Sequence, residues 1–506
     1  MHEVGPMVAA HRSWTFRLLA ALVLGFAATP AAATNYDVGP GLALAAIGDV
    51  PWQSLQPGDL VRIHYRPEPY REKWVIGRSG SAQAPIIVRG VLGPNGERPV
   101  ISGDQATTPP SLDYTGENRG VLKIGTSNVP PESLPEYIVV ENLEIRSAHA
   151  AYSFRDDHGV TQSYAQNAAA LYVERARHLV IRNCVLRDSG NGLFVGAYYG
   201  DTRDITIEGN RIDGNGNAGS IYEHNTYTAA IGIVYQENRF GPLRAGALGN
   251  NLKDRSAGLV VRNNWIEGGN RQLDLVDGED TQVIVDDPSY RETFVYGNVL
   301  IEPDGAGNSQ IIHYGGDSGN EAIYRKGTLY LFHNTVVSNR SGNTTLLRLS
   351  SDGEFADVRN NVLYVAASGD RLAMLDATGS VDLSHNWTKT GWVESHSGSA
   401  GVFDDGTGIA SAAPGFEDEM AQNYRPAEAA DILDVGTALH PGALPEYAVV
   451  RQYLEHQASE VRADDGLPDL GAFEFCATPC PEPASAAALG VAVAGLGALA
   501  ARRRAR

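Results

Sequence analysis

Side chains that could transfer protons on an acidic substrate are concentrated in three stretches near the middle of the chain. The first stretch holds His224 and Tyr227, the second holds Lys253 and Arg255, and the third ends at Asp274. Histidine, lysine and tyrosine can each give or take a proton, and arginine can hold a carboxylate. The three stretches therefore predict a catalytic site, provided that the fold brings them together.

These residue types suit β-elimination on a uronic-acid polymer. The reaction needs a cation or amide to neutralise the sugar carboxylate, a base near the acidified proton, and an acid for the leaving oxygen. Lys253 is the predicted base, provided that Arg255 and Arg271 lower its pKa. His224 competes with it as the base, and Tyr227 competes as the acid.

A second set of residues is predicted to hold the polymer. Amide and guanidinium groups would hold the carboxylate, and aromatic rings would line the flanking sugar subsites. The predicted substrate-binding residues are Tyr172, Tyr199, Asn250, Asn251, Arg271, Asp274 and His313.

A sequence pattern that recurs between residues 137 and 390 predicts the secondary structure that positions these side chains. Alternating apolar residues lead to an asparagine, and two or three residues with apolar side chains follow it. Because the strands have a period of two and most repeats are in the mid-twenties, we predict short parallel strands stacked in a coil. The asparagines are expected to shape corners, where they tolerate left-handed backbone angles and bond the next turn. They are Asn142, Asn183, Asn210, Asn238, Asn264, Asn298, Asn334, Asn361 and Asn386.

The predicted fold class is therefore all-β, a right-handed parallel β-helix with an irregular C-terminal cap. A β-propeller is the alternative, but nothing indicates four strands in each repeat of about 40 residues. In the coil, residues at equal offsets from successive asparagines lie about 4.8 Å apart in a column. Eleven positions before the asparagines, this rule predicts a column of Tyr172, Tyr199, Tyr227 and Lys253.

The chain divides into four predicted segments. Residues 1–33 have the basic, apolar and small-residue regions of a secretory signal peptide. Residues 34–391 form the β-helix, and residues 392–475 form irregular terminal rungs or a cap over its open end. Residues 476–506 form a tail whose uncharged stretch, 484–501, is barely long enough to cross a bilayer before a cluster of arginines.

The tail resembles a PEP-CTERM sorting signal, because Pro481-Glu482-Pro483, the uncharged stretch and the arginines follow in that order. The resemblance implies processing by an exosortase-type enzyme and export to the cell envelope or the outside. Contact with the membrane would then be transient and limited to the tail.

Three stretches of the body resemble polysaccharide lyases. Gln56–His64 and Ser81–Gly90 resemble the opening rungs of alginate-lyase-like and chondroitinase-B-like enzymes, and Lys253–Ala257 resembles the lysine rung of the chondroitinase-B-like group. That resemblance implies a lysine base, an assisting arginine and a calcium ion that bridges the substrate carboxylate. The acids expected before the lysine are replaced by Gly246–Gly249, so no cofactor is predicted and direct neutralisation by arginine or asparagine is favoured.

Composition narrows the classes of partner. The 506 residues carry a formal net charge of −20, which disfavours nucleic acid and anionic membrane surfaces as general partners. Of the three cysteines, Cys184 is predicted to pack in the core, while Cys476 and Cys480 could form a short disulfide after export. We therefore predict an exported carbohydrate-active protein, and a polysaccharide lyase is the favoured activity. A non-catalytic polysaccharide-binding surface or matrix protein and a C5-epimerase are the alternatives.

Overall fold

The computed structural model describes residues 33–369, 371–398, 401–463 and 466–475. Within them the chain coils through three long parallel sheets, so each turn contributes one strand to each sheet. The predicted parallel β-helix is confirmed. Cys184 is buried in its core and unpaired, as predicted. The predicted signal peptide and sorting tail, including Cys476 and Cys480, lie outside the described residues.

Sheet 1 is the longest sheet. Alternate residues of its strands point into the coil, and the inward ones are apolar, as at Ile205 and Ile207. Its thirteen described strands are Asn35–Val38, Leu60–His64, Ile86–Val91, Glu136–Glu141, Arg177–Arg182, Arg203–Glu208, Ile231–Gln236, Ala257–Arg262, Glu292–Tyr296, Thr328–Phe332, Phe355–Arg359, Ser380–Ser384 and Gly401–Asp404.

Sheet 2 follows sheet 1 across the asparagine corner. Its later strands are apolar on both faces, which is typical of strands that are covered on both sides. Its eleven described strands are Val100–Ser102, Glu144–Arg146, Val185–Arg187, Arg211–Asp213, Arg239–Phe240, Trp265–Glu267, Val299–Glu302, Thr335–Ser338, Val362–Val365, Trp387–Lys389 and Ile409–Ser411.

Sheet 3 closes each turn, and its outer face carries polar and aromatic side chains. Its ten described strands are Trp74–Ile76, Gly120–Ile124, Ala169–Val173, Asn191–Val195, Thr226–Thr228, Leu252–Asp254, Leu273–Leu275, Gln310–Tyr314, Thr344–Leu349 and Leu372–Leu375.

The other described elements are short. A small sheet joins Ala106–Thr107, Ser153–Arg155 and Thr161–Ser163, and two antiparallel hairpins pair Phe416–Asp418 with Asn423–Pro426 and Arg451–Leu454 with Ala458–Val461. One α-helical turn spans Gln282–Val285. The 3₁₀ turns are Ile47–Asp49, Trp52–Ser54, Glu117–Arg119, Tyr198–Gly200, Pro288–Arg291, Glu321–Ile323 and Pro441–Ala443. Within the described ranges we find no helix that is both long and apolar enough to cross a membrane.

The asparagine corner is a continuous hydrogen-bonded ladder. The side-chain amide of Asn264 donates to Oδ1 of Asn298 at 2.9 Å, and Asn298 donates to Oδ1 of Asn334 at 2.9 Å. The ladder extends from Asn210 to Asn386, and every member is almost fully buried. Its structural role, predicted from the repeat, is confirmed.

The backbone at this corner differs from the prediction by one residue. The left-handed conformation belongs to the residue before each ladder position, such as Gly297 at φ 66° and Asn360 at φ 58°. Asn142 and Asn183 occupy this left-handed position, at φ 60° and 53°, so they precede the ladder column. Cys184 takes the ladder position in its turn, because its backbone N–H donates to Oδ1 of Asn210.

The C-terminal segment lies along the side of the coil. The coil itself continues past residue 391, since Gly401–Asp404 and Ile409–Ser411 still pair with the preceding strands. From residue 416 onward the chain runs back along the coil and covers parts of two outer faces. On sheet 2, Tyr453 packs on Trp265, and on sheet 1, Tyr447 stacks on Phe294 with ring centroids 3.7 Å apart. Gln457 donates to the carbonyl of Gly209. The predicted placement over the open end therefore differs from the structure, because the apolar outer face of sheet 2 needs a cover.

Candidate functional site

One outward column of sheet 3 gathers five of the eleven predicted site residues. Adjacent strands pair Tyr227 with Lys253, Lys253 with Asp274, and Asp274 with His313. The intervening residues of these strands, such as Leu252 and Leu273, point inward and are fully buried. We call the full set the site column, which consists of Lys123, Tyr172, Phe194, Tyr227, Lys253, Asp274, His313 and Arg348.

The predicted column is wrong at one position. Phe194, not Tyr199, pairs with Tyr172 on one side and with Tyr227 on the other. Tyr199 lies in the 3₁₀ turn Tyr198–Gly200, where it is 82% exposed. The offset from the asparagine fails there because this turn lengthens the connection between the strands.

After Lys123, the first half of the column is a strip of three aromatic rings. The ring centroids of Tyr172 and Phe194 are 5.4 Å apart, and those of Phe194 and Tyr227 are 5.5 Å apart with nearly parallel planes. The guanidinium of Arg119 lies 5.2 Å from the centroid of Tyr172. All three rings are partly exposed. They present aromatic faces in a row along the coil axis.

Lys253 begins the charged half of the column. Its ammonium contacts Oδ2 of Asp274 at 2.8 Å and also the carboxylate of Asp317. Burial alone lowers its pKa, but the two carboxylates outweigh burial and leave the pKa above its ordinary value. The condition set for Lys253 as a base is therefore not met, because Asp274 and Asp317 act more strongly than Arg255 and Arg271. Lys253 is a buried cation.

Arg255 lies beside the column and joins its two halves. Its Nε donates to the hydroxyl of Tyr227 at 2.7 Å, and its Nη2 contacts Asp317 and Glu279, each at 2.8 Å. Its Nη1 donates to the carbonyl of Asp277 at 2.7 Å. Arg255 and Lys253 thus hold the two oxygens of the Asp317 carboxylate between them. We call this pair of cations the carboxylate clamp.

His224 is unsuited to act as a base in this geometry. Its Nδ1 accepts a hydrogen bond from the backbone N–H of Asn250 at 2.9 Å. Burial, reinforced by the nearby Lys253, lowers its pKa to about 3, so the ring is neutral at pH 7. A neutral imidazole that accepts at Nδ1 carries its proton on Nε2. His224 stacks beside Tyr227, with ring centroids 5.9 Å apart, as a potential hydrogen-bond donor.

The predicted carboxylate-holding residues differ in their availability. Asn251 is fully buried, and its amide donates to the carbonyl of Glu267 at 2.8 Å, so it belongs to the core and its predicted contact with substrate is wrong. Asn250 donates to Oδ2 of Asp274 at 2.7 Å. Arg271 approaches Asp274 at 3.7 Å, and burial lowers its pKa from the ordinary arginine value.

Asp274 connects the second half of the column. Its Oδ1 lies 2.7 Å from Nδ1 of His313, while its Oδ2 receives Lys253. Although burial raises the pKa of Asp274, Lys253 and His313 bring it well below its usual range, so Asp274 is ionised. Nε2 of His313 lies 2.9 Å from the hydroxyl of Ser350.

The sequence interpretation missed Asp317 and Ser350. Asp317 stands in the glycine-rich stretch 315–319, three residues after the end of the strand that carries His313, and this polar turn was the available signal. Ser350 immediately follows the strand Thr344–Leu349 and had no distinguishing neighbour in the sequence.

The carboxylates around the clamp do not fit a calcium site. Asp274 contacts Lys253, Asp317 contacts both cations of the clamp, and Glu279 contacts Arg255. Their charge is already neutralised by protein cations. In the part of the chain that the structure describes, no group of three or more His, Cys, Asp or Glu side chains is arranged to hold a metal ion.

Comparisons with known proteins agree with this architecture. Residues 125–288 match the family model described as "right handed beta helix region". No curated protein sequence matches the chain significantly. The chain is a right-handed parallel β-helix with a polar and aromatic column on one outer face.

Three solved structures illustrate the structural similarity. A pectate lyase aligns with 13% identity and a TM-score of 0.47, over 87% of this chain and 96% of its own. An alginate lyase from Paenibacillus sp. aligns with 13% identity and a TM-score of 0.40, over 65% of this chain and 92% of its own. A lacto-N-biosidase from Eubacterium ramulus aligns with 12% identity and a TM-score of 0.41, over 75% of this chain and 68% of its own.

Proposed function

We propose that the protein binds a uronic-acid-containing polysaccharide along the site column and cleaves it by β-elimination. The observation that carries the proposal is the carboxylate clamp. Lys253 and Arg255 hold the carboxylate of Asp317, whose side chain is 32% exposed. The carboxylate of a uronic acid has the same shape and charge, so it can take the place of Asp317 between the two cations.

The aromatic strip supports binding of a polymer rather than of a small acid. Partly exposed aromatic faces provide apolar contact area, and the polar edges of sugars can hydrogen-bond beside them. The rings of Tyr172, Phe194 and Tyr227 extend over three successive strands. At about 4.8 Å for each strand spacing, the strip and the clamp together span several sugar units.

Tyr227 is the group best placed to move the proton. The clamp neutralises the substrate carboxylate and thereby acidifies the C5 proton. The phenolate of Tyr227, stabilised by the 2.7 Å hydrogen bond from Arg255 Nε, takes that proton. The C4–O4 bond breaks as the C4=C5 double bond forms, and Tyr227 returns the proton to the departing O4. Lys253 stays protonated and His224 has its Nδ1 engaged, so neither competes as the base.

One observation favours the non-catalytic alternative. Both cations of the clamp are already paired with carboxylates of the protein, which is a low-energy arrangement without substrate. A binding protein needs only the aromatic strip and a displaceable Asp317. The two proposals therefore differ in whether proton transfer at Tyr227 occurs.

The test is an assay of the purified protein with polygalacturonate, alginate and chondroitin sulfate. Ultraviolet absorbance of unsaturated chain ends reports elimination, and uptake of deuterium at C5 without chain cleavage reports epimerisation. We expect unsaturated ends from one polymer, about a 1000-fold loss in Tyr227→Phe, and wild-type activity in Tyr199→Phe, the matched change outside the column. Binding with no product from any polymer overturns the lyase in favour of the binding protein.

We also propose that the protein is exported and that its tail is processed by an exosortase-type enzyme. Two sequence observations support this proposal. Residues 1–33 have the regions of a signal peptide, and residues 476–506 contain Pro481-Glu482-Pro483, an uncharged stretch and an arginine cluster in that order. Intact-mass analysis of the protein recovered from its native host tests this proposal. Loss of both ends is expected, whereas an intact cytoplasmic chain contradicts it.

A further inference from the structure

We propose that Ser350, His313 and Asp274 form an acyl-transfer triad that removes ester groups from the bound polysaccharide. The hydroxyl of Ser350 lies 2.9 Å from Nε2 of His313, and Nδ1 of His313 lies 2.7 Å from Oδ1 of Asp274. A nucleophile, a base and an orienting carboxylate within hydrogen-bond reach are the geometric signature of a serine hydrolase, whatever the fold. This activity goes beyond the elimination proposed above, because it uses Ser350 as a nucleophile whereas the elimination uses Tyr227 as a base.

The positions of the protons are consistent with that role. Asp274 is ionised, so it accepts the proton of His313 Nδ1 and leaves the lone pair on Nε2. The backbone N–H of Gly316 donates to Ser350 Oγ at 2.9 Å. The Ser350 hydroxyl can then direct its own proton to His313. Two carbonyls compete as acceptors in a purely structural arrangement, that of Gly316 at 2.9 Å and that of Tyr314 at 3.3 Å from Ser350 Oγ.

The surroundings place the triad on the proposed substrate path. Ser350 is partly exposed and follows the strand that carries Arg348, the exposed residue paired with His313 in the site column. His313 stands two strand spacings from Lys253, or about 10 Å along the coil. An ester on a sugar one or two units away from the clamped uronic acid can therefore reach Ser350. The substrate class is an O-acylated uronic-acid polysaccharide.

The reaction balances without any co-reactant except water. Ser350 Oγ attacks the acyl carbonyl carbon while His313 Nε2 takes the hydroxyl proton. The bond to the sugar oxygen breaks, and His313 returns the proton to that oxygen. Water then attacks the acyl-serine, His313 takes its proton and returns it to Ser350, and the carboxylic acid leaves.

Labelling of the full-length protein tests the triad directly. We expect a fluorophosphonate probe to modify Ser350, located by peptide mass analysis, and to leave Ser350→Ala unlabelled. Hydrolysis of p-nitrophenyl acetate and acetate release from acetylated alginate should fall at least 100-fold in Ser350→Ala and His313→Gln. Ser341→Ala changes an exposed serine that bonds Asp304, and it should retain wild-type rates.

A further variant and separate readouts keep the outcomes distinct. Ser350→Cys preserves a nucleophile of similar size, and its alkylation by iodoacetamide should be faster than that of a buried thiol because His313 activates it. Hydrolysis of p-nitrophenyl acetate needs no polymer and is measured apart from unsaturated chain ends, so failure of elimination does not imply failure of ester hydrolysis. Unlabelled Ser350 in a folded wild-type protein, or unchanged hydrolysis in Ser350→Ala, overturns the proposal.

Discussion

The asparagine ladder and the site column are both vertical rows of polar or aromatic residues, one for each turn, but they are built in opposite ways. The ladder repeats one residue type, and each amide bonds the next one, as Asn264 bonds Asn298 at 2.9 Å. The site column changes residue type at nearly every turn, and its neighbours Lys253 and Asp274 carry opposite charges.

This difference teaches how to tell structure from function in a coil of repeats. Identical residues in register satisfy one another and need no ligand, because each side chain offers one donor group and one acceptor. A row of different polar residues is not explained by the structural repeat, because unlike side chains do not pair with one another in the same way from turn to turn. Their coincidence on the open face of sheet 3, while the C-terminal segment covers parts of sheets 1 and 2, is the reason that we propose sheet 3 as the substrate-binding face.

The largest effect is expected from a substitution that disrupts the site column and leaves the asparagine ladder intact. Arg255→Ala removes the hydrogen bond to Tyr227 and one cation of the clamp, so elimination should fall about 1000-fold, or about 4 kcal/mol. The assay of unsaturated ends checks this. Arg211→Ala is the matched control, because that arginine is half-exposed on sheet 2 and should keep full activity. Equal activity in both variants contradicts the clamp.

The next largest effect is expected from a substitution that disrupts the asparagine ladder and leaves the site column intact. Asn298→Ala leaves the buried backbone N–H of Asn264 and the carbonyl of Val261 without their partner, so the free energy of unfolding should fall by about 3 kcal/mol. Chemical denaturation measures the change. Asn142→Gly is the matched control. Asn142 lies in a left-handed position before the ladder, so this change should alter the free energy of unfolding by less than about 1 kcal/mol. A similar loss in both variants argues against the distinction between the two positions.

The pH dependence of elimination sharpens the role of Tyr227. Burial raises the pKa of Tyr227 above its ordinary value, although Arg255 opposes the shift. The reactive phenolate is therefore a small fraction at neutral pH, and the rate should rise about tenfold for each pH unit toward that pKa. Asp274 and Lys253 stay charged throughout this range, since their pKa values are lowered and raised respectively. A rate that stays constant between about pH 6 and pH 9 contradicts a tyrosine base.

The smallest effect concerns the carboxylate that occupies the clamp. Asp317→Asn removes the charge that competes with the substrate carboxylate, so binding of the anionic polymer should tighten about fivefold. Calorimetric titration with the substrate polymer measures the affinity. Asp286→Asn neutralises an exposed carboxylate outside the clamp and controls for the change in net charge. Weaker binding in Asp317→Asn than in the control means that Asp317 assists substrate binding.

Much of the site could be predicted because regular spacing carries three-dimensional information in a coil. Tyr172, Tyr227 and Lys253 were predicted in one column, and the structure places them there. The rule failed at Tyr199, where a 3₁₀ turn lengthens the connection. Asn251 was assigned to substrate although it is fully buried, because it stands just before the strand Leu252–Asp254 and its amide bonds backbone carbonyls such as that of Glu267.

The electrostatic state of the site could not be predicted in the same way. Arg255 and Arg271 were expected to lower the pKa of Lys253, whereas Asp317 helps to raise it. Asp317 is distant from Lys253 in sequence, and its loop has no repeat to set its position. The side of the coil that the C-terminal segment covers was undetermined for the same reason.

The amino-acid sequence by itself determined the coil, its asparagine corner and the strands that bear the reactive residues, because these depend on local period and on equal spacing between turns. Only the tertiary structure decided which charges face one another, since loops of unequal length carry Asp317 and Ser350 to the column. Ion pairs act over a few ångströms in space regardless of separation along the chain. The chemistry of Lys253, Tyr227 and His313 is therefore a property of the folded protein.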